Sequence, residues 1–135
     1  MPLEINRRQR EGITILDLKG RITMGPEASA LRQEVATLDQ AGERKLIFNM
    51  AEVDYIDSTG LGALVVCATG MRKKQGNVKL VSLSRRHIEL LVMTKLATVF
   101  ETYPDEQDAL NSFYPDRENK TFDILDFVQH IKKED

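Results

Sequence analysis

The sequence predicts an α/β protein with one mostly parallel sheet flanked by helices, and three observations support this fold class. Short apolar runs alternate along the chain with longer segments whose apolar residues recur at helical spacing. The apolar run over 45–50 is typical of a parallel strand that is buried on both faces. The chain has 135 residues, 41% of them hydrophobic and 30% charged, which suffices for one globular domain.

The individual elements follow from turn residues, helix caps and apolar spacing. Glu11 and Gly12 form a turn of hairpin length between the first two strands. Pro26 suits the first turn of a helix because its missing N–H costs little there, and Ser84 can cap a later helix. In order, the predictions are strands over 3–9 and 13–22, a helix over 24–42, a strand over 45–50, a helix from about 60 to 75, a strand over 78–83, a helix over 85–97, a strand over 98–103 and a helix over 105–113.

The chain divides into a domain over 1–114 and an extension over 115–135. The extension begins with a polar linker and continues as an amphipathic helix with one apolar face, formed by Ile124, Phe127, Val128 and Ile131. Such a short helix is unstable alone in water, so this face is expected to dock. Packing on its own domain is the favoured interpretation, and a homodimer contact or a partner contact is the alternative.

Composition narrows the location and the classes of partner. A net charge of −2 gives no general attraction to nucleic acid or anionic lipid. The single cysteine, Cys67, excludes an internal disulfide and suits a reducing compartment. The N-terminus lacks a signal-peptide pattern, and no segment approaches the ~20 apolar residues that span a bilayer. We therefore expect a cytoplasmic protein without direct nucleic-acid binding or membrane insertion.

The sequence does not predict an enzyme or a cofactor. It lacks a phosphate-gripping glycine loop with lysine, and its glycines do not match a dinucleotide fingerprint. One cysteine and two histidines cannot supply an ordinary zinc site. Cys67 is expected to be a core residue, and His87 and His130 are expected at the surface.

The most informative stretch places two hydroxyls at a strand-to-helix junction. Ser58 and Thr59 lie between Asp57 and Gly60, and three interpretations apply: a helix cap, a nucleophile or a phosphate acceptor. A nucleophile elbow needs glycine two residues before the serine, where Ile56 stands, so that interpretation is rejected. Asp57, Ser58 or Thr59 could provide the cap. Helix-terminal N–H groups also favour phosphate, and Gly60 and Gly62 are expected to leave the surface bare.

The stretch VDYIDSTGLGALV at 53–65 follows RKLIFNM, and ILDLKGRIT lies about thirty residues upstream. This pattern, with the element order over 3–113, resembles the STAS-domain family of bacterial anti-sigma factor antagonists. The resemblance implies a small mixed sheet with flanking helices. It also implies that Ser58 is phosphorylated by a partner anti-sigma factor, a serine kinase that brings its own ATP and magnesium. The implied partner surface comprises Thr23, Met24, Asp57, Ser58, Thr59, Gly60 and Leu61.

The chain departs from the family pattern at one position of this surface. Family members often carry an acidic residue shortly after the glycine that ends the second strand, whereas this chain has Thr23. The resemblance implies a phosphorylation-switched binding module that releases a sigma factor for transcription. Two alternatives stay open: a non-phosphorylated structural subunit of an ABC-type transport complex, and a scaffold in a stress-sensing assembly.

Overall fold

The computed structural model describes residues 2–118 together with residues 124, 127 and 128, and it confirms the predicted fold class. Five strands form one sheet in the order β1-β2-β3-β4-β5, with β1 antiparallel to β2 and the other neighbours parallel. The elements are β1 (Glu4–Arg10), β2 (Ile13–Ile22), α1 (Pro26–Gln40), β3 (Lys45–Ile56), α2 (Ser58–Lys73), β4 (Asn77–Val81), α3 (Arg85–Met93), β5 (Glu101–Tyr103) and α4 (Glu106–Ser112).

The N-terminal hairpin forms as predicted. Its two turn residues, Glu11 and Gly12, have φ values of 53° and 79°. Two consecutive positive φ angles are typical of the tight turn whose twist matches that of paired strands. The turn therefore places β1 at the edge of the sheet, where it pairs with β2 along its whole length.

The sheet separates a large core from a small one. Apolar residues from β2, β3 and β4 alternate between the two faces, as the period of a strand requires. The large core lies under α1, α2 and α3, and Phe48 at its centre is fully buried. The small core lies under α4 and includes Ile15, Ile47 and Leu110. Because the large core includes residues of both α1 and α2, it fixes α2, whose first two residues are Ser58 and Thr59, together with the neighbouring α1.

The third strand is longer than the sequence predicted. The prediction ended it at Met50, whereas β3 continues to Ile56 and pairs there with the end of β2. Val53 and Ile56 are buried, and the polar residues between them are exposed, so this half lacks the continuous apolar pattern of the first half. Since β4 pairs with β3 only as far as Asn49, the ends of β2 and β3 extend together beyond β4.

Two elements near the C-terminus are shorter than predicted. Helix α3 ends at Met93 rather than continuing to 97, because Thr94 is its C-cap and Lys95 has a φ of 61°. A helix cannot continue through a residue with positive φ. Strand β5 has only three residues, over Glu101–Tyr103. The apolar residues of 96–100 instead pack against the large core as irregular chain.

Described residues of the C-terminal extension pack on the domain. Ile124 is 5% exposed and belongs to the large core, and Phe127 and Val128 pack against that core as partly buried residues. This is the own-domain packing that the amphipathic pattern favoured. Ile131, which the sequence places on the same face, lies outside the described residues, and the homodimer contact stays a prediction.

The buried position of Ile124 gives a stability prediction. Replacing Ile124 with alanine removes buried methyl and methylene groups and should lower the free energy of unfolding by about 2 kcal/mol or more. Met93→Ala is the matched control because Met93 is 81% exposed, and its effect should stay within about 0.5 kcal/mol. Denaturant titration measures both. Equal stabilities of the two variants would contradict docking of the extension.

Candidate functional site

The candidate site lies where β2 and β3 end side by side. Ile22 and Ile56, the last residues of the two strands, are register partners in the parallel pair. Chain continuing from β2 forms the loop over 23–25 and then α1, and chain continuing from β3 passes through Asp57 into α2. Because parallel strands share their carboxyl edge, residues far apart in sequence meet here. Three of the predicted residues, Thr23, Met24 and Asp57, are brought together by this edge.

Asp57 is the N-cap of α2, so the structure identifies which of the three polar residues caps this helix. Its Oδ1 accepts a hydrogen bond from the Gly60 N–H at 2.7 Å. Its Oδ2 accepts a second bond from the Met24 N–H at 2.9 Å. The N–H groups of Gly60 and Met24 hold the pKa of the Asp57 carboxyl below its ordinary value. The aspartate thus supplies the cap that Ser58 or Thr59 could also have supplied.

The capping by Asp57 leaves the two hydroxyls available. Ser58 and Thr59 occupy the first two positions of α2, and both are exposed. Within the described part of the chain, neither hydroxyl makes a hydrogen bond to another residue. An exposed, unengaged serine at a helix N-terminus is sterically accessible to a second protein. The same position tolerates an added phosphate, because the helix dipole and the terminal N–H groups favour an anion.

Two residues of the predicted partner surface are buried, which corrects the prediction. Gly60 lies against the end of β2, so close that a Cβ built on it would stand 1.8 Å from the Ile22 carbonyl oxygen. Leu61 is 4% exposed and belongs to the large core. Helical periodicity turns both residues toward the sheet. Only Gly62 leaves the surface bare as expected, since nothing lies within 4 Å of a Cβ built there.

The loop between β2 and α1 supplies the other side of the site. Thr23 is half-buried, and its carbonyl oxygen accepts a bond from the Ala28 N–H at 3.0 Å. Met24 is 71% exposed, which is unusual for a large apolar side chain. It therefore offers apolar surface close to the N-terminus of α2. The Met24 N–H is held there by its hydrogen bond to Asp57, the N-cap of that helix.

Sequence reasoning missed one feature of this edge. Tyr55 is 44% exposed, and the Arg21 guanidinium lies 5.2 Å from the centre of its ring. The two residues are register partners and immediately precede Ile22 and Ile56. An arginine stacked on an exposed aromatic ring has the composition of protein-interface contacts. The pair could not be foreseen because the predicted strand ended at Met50.

The histidine and cysteine predictions have mixed outcomes. Cys67 is a core residue as predicted, and burial raises the pKa of its thiol to about 12. The prediction that His87 is a surface residue is wrong, because its side chain is 3% exposed. Its Nδ1 accepts from the Ser84 N–H, and its own N–H donates to Ser84 Oγ, forming a capping box for α3. Burial lowers the pKa of His87. His130 lies outside the described residues.

Two further properties of the described residues concern metal binding and membrane spans. The histidine, cysteine, aspartate and glutamate side chains in this part of the chain form no group of three that could hold a metal ion. No helix within the described ranges combines the length and apolarity needed to cross a membrane.

Comparison with known proteins identifies the family. The STAS domain matches residues 4–109. The chain is 31% identical over 101 residues to the anti-sigma-B factor antagonist of Bacillus subtilis (strain 168), which covers 75% of this chain and 91% of the relative.

Solved structures agree on the fold. An anti-sigma factor antagonist from Mycobacterium paratuberculosis superposes with a TM-score of 0.69 at 21% identity, covering 82% of this chain and 92% of that one. The Bacillus cell fate determinant SpoIIAA, solved in its phosphorylated form, gives a TM-score of 0.64 at 15% identity, covering 82% and 99%. The match of the STAS-domain family to residues 4–109, more than half of the chain, leads to one conclusion: this chain belongs to the STAS-domain family.

Proposed function

We propose that this chain is an anti-sigma factor antagonist whose binding to its anti-sigma factor is switched by phosphorylation of Ser58. One observation carries the proposal: Asp57 caps α2, and the neighbouring Ser58 hydroxyl is therefore exposed and unengaged. A serine needed as the cap would lose that role on modification, whereas this serine is free to be modified. The name of the B. subtilis relative supports the antagonist function.

The unphosphorylated form binds the anti-sigma factor and frees a sigma factor for transcription. The anti-sigma factor, acting as a serine kinase, brings ATP and magnesium, so this chain needs no cofactor of its own. In the transfer, a bond forms between Ser58 Oγ and the γ-phosphorus while the bond from that phosphorus to the β–γ bridging oxygen breaks. The serine proton passes to a base, and ADP leaves. The phosphorylated form then dissociates from the partner.

The contact surface of this proposal comprises Met24 and the backbone of Thr23 on one side and Ser58, Thr59 and Gly62 on the other. Asp57 joins the two sides through its hydrogen bonds to Met24 and Gly60. Exposed Met24 supplies an adaptable apolar contact, and the bare backbone at Gly62 permits close approach of a kinase active site. Gly60 and Leu61 act from beneath, by fixing the first turn of α2 on the sheet.

The proposal predicts which residue is labelled. Incubation with ATP and the anti-sigma serine kinase from the same genome should incorporate one phosphate, and Ser58→Ala should abolish incorporation because it removes the acceptor oxygen. Thr59→Ala is the matched control and should keep most of the labelling, because it removes the neighbouring exposed hydroxyl and leaves the Ser58 oxygen in place. Phosphate incorporation and mass spectrometry measure both.

Two other outcomes are informative. Labelling that persists in Ser58→Ala and vanishes in Thr59→Ala would move the acceptor by one residue. Absence of labelling by every serine kinase of that genome would overturn the switch and favour a structural role, either in a transport complex or in a stress-sensing assembly. Native mass separates those two roles, because a scaffold would be found in a large assembly.

A further inference from the structure

The two carboxylate oxygens of Asp57 serve two different segments of the chain. Oδ1 accepts from the Gly60 N–H at 2.7 Å, within α2, and Oδ2 accepts from the Met24 N–H at 2.9 Å, in the loop between β2 and α1. We propose that Asp57 is a positioning residue that joins the β2–α1 loop to the start of α2. We also propose that negative charge on Ser58 weakens the hydrogen bond between Asp57 and the Met24 N–H. The first half of this proposal is independent of the proposed function, and the second half rests on it.

An ordinary N-cap would not need the second bond. Asp105, the N-cap of α4, accepts from the Asp108 N–H at 2.9 Å, which is the usual bond from the third residue of a helix. Asp57 adds a bond across 33 residues of sequence to a loop that contributes an exposed methionine to the candidate surface. Hydrogen bonds to a charged acceptor are stronger than bonds between neutral groups. Asp57 therefore fixes the position of Met24 relative to Ser58.

The backbone of Asp57 strengthens the same junction. The Asp57 N–H donates to the Ile22 carbonyl oxygen at 3.3 Å, and the Asp57 carbonyl oxygen accepts from the Leu61 N–H at 2.8 Å. Only the side chain, however, reaches past the end of β2 to Met24. Loss of the side-chain bond would thus free the Met24 N–H, while the strand pair, the helix start and the bonds from α1 to the Thr23 and Gly25 carbonyl oxygens remain.

A phosphate on Ser58 acts on Asp57 in two ways. It carries about −1.5 to −2 charges next to the Asp57 carboxylate, and its oxygens compete for the N–H groups at the start of α2. Repulsion displaces the Asp57 carboxylate. Its hydrogen bond to Met24, in the loop, then breaks more readily than its bond to Gly60, within the first turn of α2. Met24 then loses its fixed position relative to Ser58. Phosphorylation would in this way alter both sides of the partner surface, although only one side is modified.

Amide hydrogen exchange measured by NMR tests the positioning role on the protein alone. Asp57→Asn has one acceptor oxygen instead of two, and asparagine caps helices as well as aspartate does. The Gly60 amide should keep its protection, whereas the Met24 amide should exchange about ten-fold faster. Asp105→Asn, the matched control, should leave the Met24 amide unchanged. If the Met24 amide also exchanges at the parental rate in Asp57→Asn, the positioning role is wrong.

A pH titration adds a second measurement, the pH dependence of the Met24 amide proton shift. This shift would not follow the titration of Asp57 if Asp57 were only a helix cap. The Met24 and Gly60 amide proton shifts should titrate with one common midpoint, below the ordinary aspartate value, because both amides donate to the same carboxyl. A Met24 shift that does not follow the Gly60 shift would overturn the proposal.

Charge variants at Ser58 test the second half of the proposal without a kinase. Ser58→Glu should speed exchange of the Met24 amide about three-fold or more, while Ser58→Gln, of equal length but neutral, should not. Equal exchange in the two variants would refute the effect of charge. Failure of kinase labelling at Ser58 would refute the proposed function and leave the Asp57 result standing, so the two failures can be distinguished.

Discussion

Replacing Gly60 with alanine should lower the free energy of unfolding by about 3 kcal/mol or more, the upper part of the range for overpacked sites. A Cβ at this position would stand 1.8 Å from the Ile22 carbonyl oxygen and 2.6 Å from its carbonyl carbon. Real atoms do not approach so closely, so backbone must move. Alanine is otherwise more favourable than glycine in a helix, so the expected loss of stability is due to the clash alone.

The clash cannot be relieved cheaply because the obstructing atoms belong to the backbone of β2. Ile22 is the last residue of that strand, it is fully buried, and its carbonyl oxygen also accepts from the Asp57 N–H. Moving it would open the junction with Ile56 and shift the start of α2 together with Ser58. The variant should therefore lose partner binding as well as stability.

Gly62→Ala is the matched control on the same helix. Nothing lies within 4 Å of a Cβ at Gly62, and alanine in a helix interior is favoured over glycine by about 0.5–1 kcal/mol. Urea titration followed by circular dichroism measures both variants. Gly60→Ala should shift the midpoint down and Gly62→Ala should shift it slightly up. A Gly60→Ala protein as stable as the parent would contradict the close approach of α2 to β2.

Replacing Ser58 with glutamate should weaken binding to the anti-sigma factor ten-fold or more, about 1.4 kcal/mol, with little change in stability. The side chain at this position is exposed at the first residue of α2, so the added charge stays in water in the free protein. There the helix dipole favours an anion by about 0.3–1 kcal/mol, and repulsion from Asp57 offsets part of that gain. The melting temperature should stay within a few degrees of the parent.

In the proposed complex the bound state differs, because the partner would cover the charge. A kinase whose nucleotide phosphates face Ser58 must either desolvate the glutamate carboxylate or place it near charges of the same sign. Juxtaposed like charges at an interface cost several kcal/mol. A single glutamate carboxylate should produce part of that cost. The loss of affinity therefore arises in the complex and not in the fold.

Isothermal titration with the kinase that labels Ser58 measures the affinity, and calorimetric melting measures the stability. Ser58→Gln is the matched control, since it has the same length without the charge and should bind within about three-fold of the parent. A glutamate variant that binds as the parent does would reduce Ser58 to an ordinary helix residue. One that unfolds the domain would mean that the charge acts through loss of structure.

The order and type of the main elements could be predicted from the sequence because they depend on neighbours along the chain. Apolar spacing within each segment indicated β2, α1 and α2, and Glu11 with Gly12 indicated the hairpin turn. The hydroxyl motif was placed at a strand-to-helix junction for the same reason. These are local signals, which a short window of residues contains in full.

The second half of β3 could not be predicted in this way. Residues 51–56 are exposed except for Val53 and Ile56 and lack a continuous apolar pattern, so their strand structure depends on pairing with the end of β2, about 30 residues earlier. The burial of His87 was missed for a related reason. Its ring replaces an acidic side chain in the capping box with Ser84, and no local pattern distinguishes that arrangement from a surface histidine.

The sequence by itself determined that one of three polar residues caps α2 and that a hydroxyl lies beside the cap. Only the tertiary structure decided that Asp57 is the cap, because the Met24 N–H that engages its second oxygen comes from a distant loop. Likewise, helical spacing cannot tell that Gly60 meets a backbone carbonyl while Gly62 meets solvent. That difference depends on where the end of β2 lies. The accessibility of Ser58 is thus a property of how two strand ends meet, and the residues around it in sequence do not contain that information.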